Sequence, residues 1–386
     1  MRSNYKKIGQ FIQQVNIKNN DLAVDNLLGV SITKKFIPSI ANIIGTDMTT
    51  YKIIKKGQFA YGPVTSRNGD KISVALLEDD EAIVSTSYTA FEIINTDKLL
   101  AEYLMMWFRR EEFDRYARYM SHGSTREAFG WEEMCEIELP VPSIKKQKEL
   151  VKEYHTITDR IKLNEQLNQK LEDTAQSIYK EWFVNFEFPD ENGKPYKSNG
   201  GEMVYCEELE MEIPVGWSSI SIKNISNLKY GKMLDSSKFL EKGYPIFSGY
   251  GIRGYYSSYM YEESQILVLC RGVSGTGEVK LSPPKAYITN LSIVVEINHS
   301  EMDKYFVYYY LKNQNLRQLD SGSAQSQITI EDLNRVIVLQ PPEKLQKKFN
   351  NYIKTIELNL ENKNKNNEYL ETFKTILLSK IATIEG

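Results

Sequence analysis

The side chains able to make specific contacts lie in a few short polar stretches. In the first half these are Tyr61, Thr65, Ser66, Arg67 and Asn68, then Ser124, Thr125 and Arg126. In the second they are Tyr250, Arg253, Arg271, Ser274, Thr276, Gln325 and Gln327. Such residue types read hydrogen-bonding edges of bases: Arg matches guanine, Asn or Gln matches adenine, and Ser or Thr suits either. Arg253 and Arg271 lie among glycines, in Ser248-Gly249-Tyr250-Gly251-Ile252-Arg253-Gly254 and Arg271-Gly272-Val273-Ser274-Gly275-Thr276-Gly277. Glycines permit tight loops in which the backbone can approach a phosphate. For any single residue a turn position or a solvated side chain is the competing reading. The set argues more than its members.

The same stretches do not assemble a catalytic pattern. Gly272-x-x-Gly275-x-Gly277 lacks the Lys-Ser/Thr of a phosphate loop and does not follow a strand in a βαβ unit. Glu278-Val279-Lys280 matches part of a nuclease Glu-x-Lys arrangement but has no well-placed Asp, and reads as a solvated pair. Ser282-Pro283-Pro284 and Gln340-Pro341-Pro342 lack the acid or amide and the aromatic of a methyltransferase motif. Cys135, Cys206 and Cys270 are odd in number and far apart, which argues against a disulfide framework and suits a reducing cytoplasm. His122, His155 and His299 are equally scattered, so no metal site is expected.

An internal repeat shows which elements must hold these loops, and repeats fix architecture before any motif does. A shift of 199 residues brings Gly123-Ser124 onto Gly322-Ser323, Pro142 onto Pro341, Gln147-Lys148 onto Gln346-Lys347, Ile157 onto Ile356 and Leu171 onto Leu370. Each copy runs from a polar loop through a short apolar strand to a proline break and then a long helical segment. Further upstream, Ile83-Val84-Ser85-Thr86 and Phe91-Glu92-Ile93 resemble Tyr287-Ile288-Thr289-Asn290 and Val295-Glu296-Ile297 at a shift of 204. The globular halves share a plan but differ by a loop length.

The helical segments carry the 4-3 spacing of a coiled coil. In the first copy the seam is Leu150, Tyr154, Ile157, Ile161, Asn164, Asn168, Leu171, Ala175, Ile178 and Trp182. In the second it is Phe349, Ile353, Ile356, Leu360, Lys363, Asn367, Leu370, Lys374, Leu377 and Ile381. Asn164, Asn168, Lys363 and Asn367 either restrict how the helices align or mark a wetter middle. About forty residues of helix reach roughly 60 Å, enough to space two domains by more than one turn of duplex DNA. Tyr308-Tyr309-Tyr310 and Trp107-Phe108 are expected on helices facing a core.

Composition sets the remaining bounds. The 386 residues, 41% hydrophobic and 26% charged, suit two globular units with connecting structure. No signal peptide or membrane span is expected, because apolar runs such as Ile266-Leu267-Val268-Leu269-Cys270 fall far short of a bilayer crossing. The net charge of −3 counts mildly against a chain that binds DNA unaided. A subunit that holds DNA together with partners leaves part of the phosphate neutralisation to them.

At the join after the first helix the chain reads Trp182-Phe183-Val184-Asn185-Phe186-Glu187-Phe188-Pro189-Asp190-Glu191-Asn192-Gly193-Lys194-Pro195-Tyr196, then Ile213-Pro214-Val215-Gly216-Trp217. Together with the two glycine-rich stretches and the segment from Gly322 to Leu333, this resembles the specificity subunits of Type I restriction-modification systems. The resemblance implies an α+β (mixed α/β) fold with a pseudo-twofold internal repeat. Two target-recognition domains, separated by two long antiparallel helices, would each read one half of a split, asymmetric DNA target. It implies two adenine-methyltransferase subunits as partners, carrying S-adenosylmethionine, and restriction subunits using ATP and Mg, with no cofactor and no catalysis in this chain. Because the first domain starts almost at residue 1, any N-terminal extension is expected to be short or missing.

The expected boundaries are 1–143 and 215–343 for the two recognition domains, 144–184 and 344–386 for the pairing helices, and 185–214 for a linker. A coiled-coil adaptor without sequence specificity, or a restriction-modification polypeptide with its own catalysis, are the competing readings.

Overall fold

Strand Thr89–Ile93 shows how each core is built, because its alternate side chains serve two different packing layers. Phe91, with Phe59, Tyr61 and Val74 from neighbouring strands, faces the helix Ala101–Phe108. Ala90, Ala60 and Ala75 point the other way, where small side chains let a second sheet approach through Ile54 and Val84. Phe59 and Phe91 stack at 4.8 Å, and Phe108 meets Phe59 edge-on at 5.9 Å. The computed structural model describes residues 5–39, 45–66, 68–69, 71–122, 127–272, 275–320 and 326–384.

The chain divides into two compact units, Met1–Glu165 with Asn364–Gly386, and Gln166–Lys363. In the first, a four-stranded antiparallel sheet has the order Ile12–Val15, Thr89–Ile93, Phe59–Tyr61, Val74–Leu76. In the second, Ser226–Tyr230, Ser292–Ile297, Ile266–Leu269 and Val279–Leu281 repeat that order. The packing layers repeat too: Ile266, Val268, Ile293 and Val295 face the helix Lys304–Asn313, while Leu267 and Val294 face the smaller sheet. That second sheet differs, with five strands in the first unit and three in the second, each containing one parallel pairing. Trp107, Phe108, Tyr308, Tyr309 and Tyr310 are buried on the two helices, as their apolar context predicts.

The long helices run Ile144–Tyr179, prolonged by a wider turn at Lys180–Val184, and Glu343–Lys380. None of the seam positions expected from the spacing is exposed. Pairing is antiparallel in each unit. In the first, Leu150 and Tyr154 share a core with Leu377, Leu378 and Ile381, with Ile157 packed against it and Ile161 buried. Asn164, 1% exposed, donates from Nδ2 to Asn367 Oδ1 at 2.7 Å, so the polar stretch there contains a buried, paired amide and not a wet gap. In the second unit Ala175 and Phe183 share a core with Ile353, Ile356 and Leu360, and Leu171 and Ile178 pack against it. Leu370 is half-buried in the first unit.

The stretch expected as a linker, 185–214, is packed structure. Phe188 stacks on Tyr196 at 4.6 Å and on Trp217 at 5.1 Å, and Met203–Cys206 forms a hairpin with Met211–Pro214.

Each long helix is tied to its own unit by a buried glutamine. Gln147 donates to Lys98 O (2.9 Å) and Pro142 O (2.8 Å) and accepts from Leu100 N (2.9 Å). Gln346 donates to Glu301 O (3.0 Å) and Pro341 O (2.8 Å) and accepts from Asp303 N (2.9 Å). Gln147→Leu strands three backbone groups, and the expected loss is about 3 kcal/mol at ~1 kcal/mol or more per group. Denaturant unfolding of the full chain checks this, and a loss below about 1 kcal/mol would show that the amide is dispensable.

Candidate nucleic-acid interface

Two loops meet at one end of each main sheet, and the same pair is built twice. In the first unit the loop following strand Phe59–Tyr61 meets the loop following helix Glu111–Met120. Thr65 N donates to Glu127 O (3.0 Å), Phe129 N donates to Pro63 O (2.8 Å), and Val64 bridges Ala128. In the second unit the loop following Ile266–Leu269 meets the one following the helical turn Leu316–Leu319. Ile328 N donates to Cys270 O (3.1 Å), and Arg271 bridges Gln327. Ala128 and Gln327 are separated by the same 199 residues as the helical repeat, so matching positions make matching bridges.

The second unit adds a third loop. Tyr250, 43% exposed, donates its hydroxyl to Arg271 O at 2.8 Å. Burial, reinforced by Glu278 and Cys270, raises its pKa above the ordinary tyrosine value. Gly272 makes the contact possible: it holds φ +130, and a Cβ there would lie 2.3 Å from the Tyr250 hydroxyl. The Arg271 side chain is exposed beside this contact, and Arg253 is exposed on strand Ile252–Tyr256. Gln327 is half-buried, its N–H bonded to Asp320 Oδ1 at 3.1 Å. Glu278 pairs with Lys280 at 2.9 Å as an exposed surface pair, as expected for solvated groups.

Three expected contact residues turn inward. Tyr61 is fully buried, its ring edge-on to Phe91 and Phe129 at 6.1 and 6.4 Å, so it belongs to the core. Thr65 is 2% exposed and spends its hydroxyl on Ser121 Oγ and Glu127 O. Thr276 is 3% exposed and donates to Gly272 O at 2.6 Å. Both threonines therefore shape loops instead of facing a ligand. Ser66 is exposed and Asn68 half-buried on the first loop. Arg67, Ser124, Thr125, Arg126, Ser274 and Gln325 lie outside the described residues.

A protein-family model described as the Type I restriction modification DNA specificity domain matches residues 6–173 and again 214–372. The chain belongs to the specificity subunits of Type I restriction-modification systems. Among curated relatives, the specificity subunit of the Type I restriction enzyme MjaIX from Methanocaldococcus jannaschii is 25% identical over 310 residues, covering 75% of this chain and 70% of that protein. The HindI specificity subunit from Haemophilus influenzae is 28% identical over 162 residues, covering 41% of this chain and 35% of that protein. The solved S subunit of a Type I system from M. genitalium shares the fold, with a TM-score of 0.62 at 16% identity, covering 99% of this chain and 96% of that one. The family model thus matches twice, and each match ends within one of the long helices.

Sequence reasoning missed the residues that order these loops from within. Asp320 accepts from Ser326 Oγ (2.5 Å) as well as from Gln327 N. Glu127 pairs with Arg118 at 2.5 Å across the corresponding loop of the first unit. Acids six, seven or nine residues from their partners carry no periodic signal. Among the described residues no three His, Cys, Asp or Glu side chains gather as a metal site, and no helix is long and apolar enough to cross a membrane.

Gly272→Ala forces an L residue to adopt positive φ and drives its Cβ into Tyr250, so the expected cost is about 1–3 kcal/mol. In a Tyr250→Ala background the cost should shrink to the backbone share alone. Chemical denaturation of the four chains checks this, and equal costs in both backgrounds would show that the tyrosine is not seated against the glycine.

Proposed function

We propose that this specificity subunit reads a bipartite, asymmetric DNA target, one half-site per recognition domain, and scaffolds the enzymes that act there. The observation that carries the reading is the duplicated loop pair, with matching backbone bridges and unlike side chains. A duplicated scaffold bearing the same residues would suit a symmetric target; Val64 and Ala128 against Arg271 and Gln327 suit two different half-sites. Residues 1–143 and 215–343 are the two reading domains, and 144–184 with 344–386 form the spacer. Base readout falls to accessible side chains at this end of each sheet, the exposed Ser66, Arg253 and Arg271 and the half-buried Asn68 among the described ones, with Tyr250 supporting Arg271 and Gln327 beside it.

The chain itself performs no catalysis in this reading. Two adenine-methyltransferase subunits supply S-adenosylmethionine and the methyl transfer, and two restriction subunits supply the ATP- and Mg-dependent cleavage. Double-stranded DNA is the shared substrate, met in the cytoplasm. The relatives' designation as specificity subunits of restriction enzymes supports this division of labour.

Mixing the purified chain with its methyltransferase subunit and S-adenosylmethionine, then mapping methylated adenines on random-sequence duplex DNA, tests the proposal. A split motif that requires this chain is the expected result, and methylation without a split motif overturns it. Arg271→Ala should weaken binding by about 1–3 kcal/mol if its guanidinium meets a base edge. Oligonucleotides altered in one half at a time read this out. The loss should be confined to one half-site, and equal loss at both would show that the domains do not read independently.

A further inference from the structure

We propose that Lys34 and Asp114 act as positioning residues for the first unit's reading loop, an inference that rests on that loop being a DNA contact. Lys34 Nζ lies 2.5 Å from Asp114 Oδ1, and both side chains are almost wholly buried, 7% and 10% exposed. The same carboxylate oxygen accepts from Ile72 N at 3.1 Å, where the loop from Gly62 returns to strand Val74–Leu76. The lysine ammonium also lies over the Phe113 ring, 4.9 Å from its centroid. Asp114 sits on helix Glu111–Met120, whose end leads into the second reading loop. There Ser121 donates back to Ala117 O at 2.7 Å and accepts from Thr65 on the first loop. One carboxylate thus ties the end of one loop to the helix that launches the other.

A buried ion pair is a poor way to gain stability, because desolvating both charges offsets most of their attraction. It does impose direction: Asp114 must face Lys34, and in that orientation its oxygen meets Ile72 N. The second unit secures the matching point differently. Gly277, like Ile72, lies two residues before its strand position, Val279 against Val74. It takes φ +90 and approaches Arg317 so closely that a Cβ would lie 2.7 Å from the Arg317 nitrogen. Arg317 follows the buried Leu316 as Asp114 follows the buried Phe113. The corresponding loop end meets the corresponding helical turn in both units, through an N–H donated to an ion-paired carboxylate in one and through close backbone approach in the other.

The test assembles the full chain with its methyltransferase subunit and S-adenosylmethionine and maps methylated adenines for wild type, Lys34→Met, Asp114→Asn, the apolar double Lys34→Met with Asp114→Leu, and Gly277→Ala. The first three variants should admit wrong bases in one half of the motif only. Methylation at such sites should rise about 5- to 150-fold, the discrimination of one base contact. The double variant leaves no unpaired buried charge, so it keeps the complex assembled should either single change unfold it. Gly277→Ala should relax the opposite half. A uniformly slower reaction with an unchanged motif in the double variant overturns the proposal, as does relaxation of the same half by Gly277→Ala. Absence of a split motif with the wild-type chain is a separate outcome, and it removes the two-half-site reading together with this one.

Discussion

A glutamine amide buried at the first turn of each long helix is the contact on which the geometry of each unit depends. Gln147 and Gln346 join three pieces of chain: the proline break before the helix, the turn that opens the shorter helix, and the long helix itself. A coiled-coil seam tolerates small slips, since one apolar side chain can replace another in a hole. An amide with both its donors and its acceptor committed in a dry site does not. The seam's register is thereby transmitted to the sheet, and through the sheet to the loops at its end. In the first unit Asn164 and Asn367 add a second polar lock to the seam itself.

The long helices were the most legible part of the sequence, and the reason is dimensional. A helix pair is specified along one axis, so a gapless repeat and a 4-3 spacing suffice to place Leu150, Ile161, Ile353 and Leu377 inward. The sheets were legible only in outline. Their central strands follow from Phe91 and Val295 at matching positions, but a sheet of five strands in one unit against three in the other leaves no common register to read. The packing within the joining segment 185–214 was not legible because its aromatic residues lack periodicity. Phe186, Phe188 and Trp217 find one another through a turn and not along a single element.

The candidate site was half legible. Its loops were located because glycines, serines and basic residues cluster there, and their pairing was hidden because it runs through backbone atoms. The direction of each polar side chain was not legible either. Threonine offers a hydroxyl that suits a base edge and a loop carbonyl equally well, and Thr65 and Thr276 take the carbonyl. Tyr61 stands at a strand end where one residue more would have placed it on the loop; it completes an aromatic core instead.

Backbone pairing of the loops carries a consequence for how such a surface can change. Phe129 N to Pro63 O in one unit and Ile328 N to Cys270 O in the other are the same link made by unrelated residues. The link makes no demand on side chains, so Val64 can become arginine at the matching bridge, and Ala128 glutamine, while the loops stay joined. Demands on side chains fall instead on a few buried positions beneath the loops. There the two units use different solutions, Asp114 with Lys34 in one and Gly277 in the other. A reading surface built this way separates what must be kept from what can vary: the scaffold is held by amide backbone and buried polar contacts, and the exposed side chains are left free to specify a target.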